Sequence, residues 1–257
     1  MGVLNATPDS FSGNGVMDRP KAAVELATAM QAAGADLLDI GGESTRPGAA
    51  GVSPAEQVRR VVPIVSAVAA AVTLPISVDT SSAEVAAAAL DVGAAMVNDV
   101  RGLAAPDLAA LVSERDVPVV VMHNQRLWPA GDDVMADVTS GLEAALQRAL
   151  GAGVGPHRLI VDPGFGFGWS TAQNVELLRR LPELWDLGLP VLLGTSRKST
   201  IGTVLADSGG HPRPAGGRAW GTAATVAQAI CAGVDVVRVH DVAEMADVVA
   251  VTDAIVR

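Results

Sequence analysis

Cysteine is nearly missing from this chain: Cys231 is the only one. A lone thiol cannot close an intrachain disulfide, which fits a reducing, cytoplasmic setting. Tyrosine is absent, and aromatic residues make up 3% of the chain. There is no basic-plus-apolar signal peptide, and no apolar run reaches the roughly 18 residues that a membrane helix needs. Positive charge is also short, with 18 Lys and Arg against 28 Asp and Glu and a net charge of −10. That balance argues against nucleic acid and anionic membranes as partners, so an anionic small molecule would have to be met by local cations. No Cys/His cluster has zinc spacing, and no P-loop or Gly-x-Ser-x-Gly elbow is present. No low-complexity linker divides the 257 residues, which read as one domain over 1–257.

What is present is organised around Val236-Val237-Arg238-Val239-His240-Asp241. The valines predict a buried parallel strand. Arg238 and His240 are two apart, so a strand points both to one side. Two such side chains beside an apolar strand are costly unless an anion meets them. Asp241 then reads as the N-cap of a helix over 242–255, whose N-terminus also favours an anion.

The same plan recurs along the chain. Apolar strands end in Asn5, Asp79, Asn98, His123, Asp162 and the run Gly194-Thr195-Ser196-Arg197-Lys198. Helices lie between them. Ser53 and Ser81, with Glu56 and Glu84 three residues on, predict capping boxes for the second and third helices. Asp18 is read as the cap of a first helix over 19–33, and a sixth helix is predicted over 172–187. Gly34, Gly93 and Gly233 read as helix C-cap glycines that turn the chain into the next strand. Met1 falls inside the first strand, which points to a missing lead-in segment. Eight parallel βα units in about 250 residues predict an α/β fold of the (β/α)8 TIM-barrel type. An open doubly wound sheet is the runner-up, but no GxGxxG follows the first strand.

In such a barrel the active site lies at the C-terminal ends of the strands. Asp79, Asn98 and Asp162 then offer acceptors to the donor edge of a flat heterocycle, and the Asp162 carboxylate can take two parallel N–H bonds. Lys198 supplies a point donor, and Arg238 with His240 supplies the anion site. The polar loops over 6–15 and 41–48 carry Phe11, Thr45, Arg46 and Pro47 and are placed to close over the mouth.

The motifs MGVLNATPDSFSGNG, DIGGESTRPG, SVDT, VNDVR, DPGFGFG, TSRKSTIG and VRVHDV together resemble the dihydropteroate synthase family, in that family's order and over nearly the whole chain. The resemblance implies a pterin-binding barrel that condenses dihydropterin-hydroxymethyl pyrophosphate with para-aminobenzoate and releases pyrophosphate. It implies a pterin site at Asp79, Asn98, Asp162 and Lys198, and a pyrophosphate site at Asn5, Arg238 and His240, with Mg2+ near Asn5. Thr45, Arg46, Pro47 and Phe11 would surround para-aminobenzoate, with Phe167 and Ser196 lining its pocket. Asp79, Lys198, Arg238 and His240 would carry the chemistry. The resemblance further implies sulfonamide inhibition and a homodimer formed through helices remote from the mouth.

The chain departs from the family pattern at Trp169, where lysine is usual and a rim position is expected. It departs again at residues 13–15 (GNG), at Asn5-Ala6 and at His123-Asn124-Gln125-Arg126. A methyltetrahydrofolate methyltransferase is the alternative enzyme, and a catalytically idle pterin-binding paralogue is the alternative from another class. The first would not need Arg238, His240 or the Arg46 loop. Residue by residue, Asp99 reads as turn chemistry, Arg197 as structure or rim, and His123 equally as ligand or filler. Trp128, Trp185 and Trp220 read as packing, His157 and His211 as surface, and Cys231 as a buried small hydrophobe.

Overall fold

The computed structural model describes residues 1–6, 19–43, 51–129 and 131–257. Six parallel strands run side by side in chain order: β1 (Gly2–Asn5), β2 (Leu38–Gly41), β3 (Ile76–Asp79), β4 (Met96–Asp99), β5 (Val119–Met122) and β6 (Leu159–Asp162). The last two strands, β7 (Leu192–Leu193) and β8 (Val236–Val237), pair with each other. Bridges Val161–Val191 and Gly2–Val239 join this pair to β6 on one side and to β1 on the other. The Val3 amide donates to the Val239 carbonyl at 3.0 Å, and the Val239 amide donates to the Met1 carbonyl at 2.9 Å. The eight parallel strands therefore close into one barrel, as the sequence predicts.

Alternation along each strand sorts the side chains. Leu38, Ile40, Ile76, Val78, Val97, Val119 and Val121 face outward and pack with the helices in one continuous apolar cluster. The opposite faces of the strands fill the inside. At the barrel floor Met1, Met96, Val120 and Leu192, with Leu37, Ile160 and Val236, form a small apolar plug. Above the plug the inward positions become polar. Burial against the helix layer thus holds the strands in place, and the polar interior is carried on a rigid frame.

The helices follow the predicted plan with local corrections. α1 (Pro20–Ala32) has Arg19 at its N-cap position, and Asp18 lies outside the described residues. α2 (Pro54–Ala69) is capped by Ser53, which accepts from the Glu56 amide at 3.3 Å. The reciprocal half of that box does not form, because the Glu56 carboxylate is taken by Arg59 and Arg60. α3 (Ala83–Asp91) is capped by Ser82 instead of Ser81, whose hydroxyl turns away to Asp99. A full capping box does occur, at Ser170 and Gln173 before α6 (Thr171–Arg179). α6 stops eight residues short of the predicted end because Pro182 leads into a 3₁₀ segment, Leu181–Leu187. Between these come α4 (Pro106–Arg115) and α5 (Val134–Gly151). The chain continues with α7 (Ser199–Val204), α8 (Ala219–Cys231) and α9 (Val242–Val256). Gly34, Gly93 and Gly233 all have positive φ, as C-cap glycines should.

Candidate active site at the mouth of the barrel

β1 lies between β2 and β8, and β2 lies between β1 and β3. A bond from β8 to β2 or β3 must therefore cross the inside of the barrel. Arg238 makes both bonds. Its Nε donates to Asp39 Oδ2 at 2.6 Å, and its Nη2 donates to Asp79 Oδ2 at 3.0 Å. Asn98 Nδ2 on β4 donates to the same Asp39 oxygen at 3.2 Å. The anion that the strand pattern demands beside Arg238 is thus supplied by two of the protein's own carboxylates. Burial alone would lower the Arg238 pKa, but Asp39 and Asp79 outweigh burial and raise it. Burial pushes the Asp79 carboxyl up to about 7, and the neighbouring Asp39 charge adds to the rise against the opposing pull of Arg238.

The other half of the mouth is built from β6 and β7. Asp162 ends β6, is buried, and accepts from the Gly164 amide at 2.7 Å. Burial raises its pKa, with Lys198 pulling the other way. The glycines of the following loop are required by geometry. A Cβ on Gly164 would lie 1.9 Å from the His123 carbonyl oxygen, and one on Gly166 would lie 2.8 Å from Lys198 Cδ. Both glycines have positive φ. This lets the loop fold back so that Phe165 O accepts from Lys198 Nζ, and the Phe167 ring centroid lies 4.7 Å from that ammonium. Burial lowers the Lys198 pKa to about 8, against the opposing pull of Asp162.

Lys198 and Ser196 are held by a tied loop. Arg197 has φ +58, its Nε donates to Asp241 Oδ2 at 2.9 Å, its amide donates to Thr222 Oγ1, and its carbonyl accepts from Arg218. Asp241 is the N-cap residue of α9, but its carboxylate serves Arg197 and makes no cap bond. Ser196 Oγ accepts from the His240 amide at 3.1 Å and lies 3.0 Å from His240 Nδ1. His240 is therefore joined to the Lys198 loop, and Arg238 is joined to the acid cluster.

The remaining expected positions fall as follows. Asn5 ends β1 in register with Gly41, which is in turn in register with Asp79. Its amide is a single side-chain oxygen donor at the mouth. No group of three His, Cys, Asp or Glu among the described residues could hold a metal ion. Phe167 and Ser196 are at the mouth, both nearly buried. Phe11, Thr45, Arg46 and Pro47 lie outside the described residues. His123 is buried, with Nε2 2.7 Å from Gln125 Oε1, so it fills the barrel top beside the site. Asp99 is turn chemistry, accepting from Ser81 and from the amides of Arg101 and Leu103.

Three expectations fail. Trp169 is a buried packing residue, not a rim residue: its ring centroid is 5.6 Å from that of His123. Trp220 is 85% exposed and Trp185 58%, so neither is a core residue, and Cys231 is exposed. Asp39 was not foreseen, because it stands one turn of the pleat below the strand end with Leu38 and Ile40 on either side. The available signal was a lone carboxylate within an apolar strand, which must find an internal partner. Arg126 was also not foreseen as part of the mouth. Its guanidinium stacks 5.0 Å from the Phe167 centroid and donates to the Gly166 carbonyl.

Comparison with known proteins points the same way. Residues 1–240 match the family described as "Pterin binding enzyme". The dihydropteroate synthase of Synechocystis sp. is 44% identical over 265 residues, covering 100% of this chain and 90% of the relative. A Xanthomonas albilineans dihydropteroate synthase solved with 4-aminobenzoic acid superposes with a TM-score of 0.91 at 46% identity, covering 99% of this chain and 92% of that one. The enzyme from the same organism in complex with 7,8-dihydropteroate gives 0.87 at 43% identity, with the same coverage of 99% and 92%. With a closed parallel barrel, its polar mouth and these likenesses over the full length, the chain belongs to the dihydropteroate synthases of the pterin-binding enzyme family.

Proposed function

We propose that the chain condenses 6-hydroxymethyl-7,8-dihydropterin pyrophosphate with para-aminobenzoate, giving 7,8-dihydropteroate and pyrophosphate. The observation that carries this reading is the meeting of Asp79, Asn98, Asp162, Lys198 and Arg238 at one barrel mouth. In our reading the first four bind the pterin. The Asp162 carboxylate accepts from the amino-pyrimidinone edge, and Lys198 donates to a ring acceptor. Arg238, His240 and Asn5 hold the pyrophosphate, so Arg238 exchanges an Asp79 oxygen for a phosphate oxygen when substrate arrives. Phe167 and Ser196, with Phe11, Thr45, Arg46 and Pro47, enclose para-aminobenzoate.

Bond breaking to pyrophosphate places charge on the leaving oxygens, and the Arg238 guanidinium and His240 stabilise it. Asp79 faces the electron-poor methylene. The amine then attacks from the Phe167 side. No protein nucleophile is needed, because holding the two substrates in line supplies much of the rate. Mg2+ suits this site as a substrate-borne ion: one amide oxygen from Asn5 is too little for a protein cage but enough for an ion that keeps waters and phosphate ligands. When bound it would neutralise charge on the leaving group.

Residues 1–257 are read as one such barrel domain in the cytoplasm. No helix among the described residues is long and apolar enough to cross a membrane. A homodimer through the helix layer away from the mouth is supported by the exposed apolar side chains Val251 and Ile255 in the last turns of α9.

The test is turnover. The purified chain should form dihydropteroate from the two substrates with Mg2+, release one pyrophosphate per product, and lose the activity to EDTA. A folded sample that binds pterin without turnover would instead indicate an idle binding protein.

A further inference from the structure

The least explained group in the molecule is Asp39. It is fully buried, on the inner face of β2 and below the strand ends. One of its oxygens accepts from both Arg238 Nε at 2.6 Å and Asn98 Nδ2 at 3.2 Å. Its other oxygen, Oδ1, has no partner among the described residues, and neither does Ser77 Oγ, which is in register with Asp39 on the adjacent strand. A fully buried carboxylate with half its acceptor capacity unused is costly. Whatever keeps it there must act through the groups it touches, because Asp79 and Asn98 stand between it and the open mouth.

We propose that Asp39 is a positioning residue of the reaction: it anchors Arg238 and Asn98 from beneath and sets its charge against Asp79. The anchoring follows from geometry. Both Nε and Nη2 of Arg238 lie 2.6 Å from Asp39 Oδ2, and Nη2 also reaches Asp79 Oδ2 at 3.0 Å. With Nε fixed on Asp39, Nη2 can leave Asp79 for a substrate oxygen while the side chain keeps its place. Asn98 is oriented in the same way, with Nδ2 spent on Asp39 and its amide oxygen left to face the mouth.

The charge effect follows from the neighbours of Asp79. Asp39 from β2, Glu43 just beyond β2 and Asp99 from β4 each favour its protonated form, and Arg238 from β8 favours its ionised form. Across the mouth Lys198 and Asp162 carry the remaining charges. Asp39 is the nearest in effect after burial itself. Asp79 thereby exchanges a proton at a pH close to neutral, where an isolated carboxyl would not.

The role in turnover rests on the site reading given above, but the electrostatic half does not. Substrate-free protein labelled with 13C at aspartate carboxyl groups is titrated as parent and as Asp39→Asn, which keeps an acceptor for Arg238 and removes the charge. The expected result is a fall of the Asp79 midpoint from about 7 by roughly one to three pH units. The acid limb of the kcat/KM profile should move down with it, and kcat/KM at pH 7 should fall roughly a hundredfold because a neutral amide holds the Arg238 guanidinium more loosely than a carboxylate does. An unchanged Asp79 midpoint in folded Asp39→Asn overturns the proposal. A shifted midpoint in a protein whose parent makes no dihydropteroate leaves the electrostatic half standing and removes the functional reading instead. If Asp39→Asn does not fold, Asp39→Gln is read in the same way. If neither folds, Arg238→Lys, which cannot hold Asp39 and Asp79 together through a guanidinium fork, decides: a rise of the Asp79 midpoint supports the shared grip, and an unchanged midpoint overturns it.

Discussion

The two halves of the barrel mouth hold their cations in opposite ways. On the β2–β3–β8 side, Arg238 is gripped by two carboxylates, one of them fully buried. On the β6–β7 side, Lys198 is met by a backbone carbonyl and an aromatic ring, with Asp162 acting on it only through space. The first cation has its pKa raised, and the second has its pKa lowered to about 8. A guanidinium suits the first task because its planar fork can serve two acceptors at once. An ammonium suits the second because its charge can be left under-compensated by burial. On the acid side the charge of the cation is compensated, so removing the cation leaves buried carboxylates exposed to each other. The lysine side stores unpaid desolvation that a ligand acceptor can relieve.

The largest effect should come from breaking the compensated side. Arg238→Ala strands Asp39 and Asp79 without a counter-ion, and removing one partner of a buried pair costs about 3 kcal/mol or more. We expect that loss in urea unfolding at pH 8. It should shrink toward pH 5, where Asp79, whose carboxyl burial already pushes up to about 7, is protonated. Turnover should be abolished, and calorimetry should show lost pyrophosphate affinity with dihydropterin binding retained. Equal loss of both ligands would contradict the division of the mouth into two halves.

The lysine side should respond with the opposite sign. The folded-state pKa of Lys198, about 8, is below its ordinary value of 10.5. The fold therefore disfavours the charged form, and below pH 8 the buried charge is a net cost. As pH rises from 8 to 10.5 the folded protein gives up this proton before the unfolded chain does, and the cost disappears. Lys198→Met should then raise unfolding stability at pH 7 by about 1–2 kcal/mol, less than the full shift because Asp162 loses the stronger of the two cations that act on it, Lys198, and keeps only Arg238. The gain over the parent should fade by pH 10.5, and dihydropteroate formation should drop sharply at every pH. A variant that loses stability at pH 7 would place Lys198 with Arg238 as a structural cation and erase the contrast.

Much of this contrast is legible in the sequence, but not its cause. A polar residue closing an apolar strand marks a barrel mouth, and that rule finds Asp79, Asn98, Asp162 and Lys198. Arg238 is found by the same rule, yet what it binds is not, since that partner is 199 residues away on β2. Asp39 is hidden because the pleat, not the strand end, points it inward. Trp169 looks like a rim residue from its neighbours along the chain. Only the fold brings the His123 ring against it, with centroids 5.6 Å apart. The α3 cap fails for a local reason: Ser81 and Ser82 are equally good caps, and Asp99 on the next strand claims the first. Where sequence reading succeeds, a periodic pattern fixes direction. Where it fails, a long-range partner chooses between local equals.

The smallest expected effect tests whether the lysine side extends beyond Lys198. Phe167 lies under two cations, the Lys198 ammonium at 4.7 Å and the Arg126 guanidinium at 5.0 Å. Arg126 is exposed, and an exposed cation–π contact is worth about 0.5–1 kcal/mol. If the Phe167 ring walls the para-aminobenzoate pocket, freeing it should weaken that substrate, while Lys198, the one pterin group that faces the ring, keeps its place through its bond to the Phe165 carbonyl. Arg126→Ala should raise KM for para-aminobenzoate by roughly two- to fivefold, leaving kcat and the KM for the pterin pyrophosphate within error. Arg126→Lys, which keeps the charge but not the planar stack, should recover part of the loss. A matching rise in both KM values would mean that Arg126 acts as a general field at the mouth, and the ring would then belong to neither half.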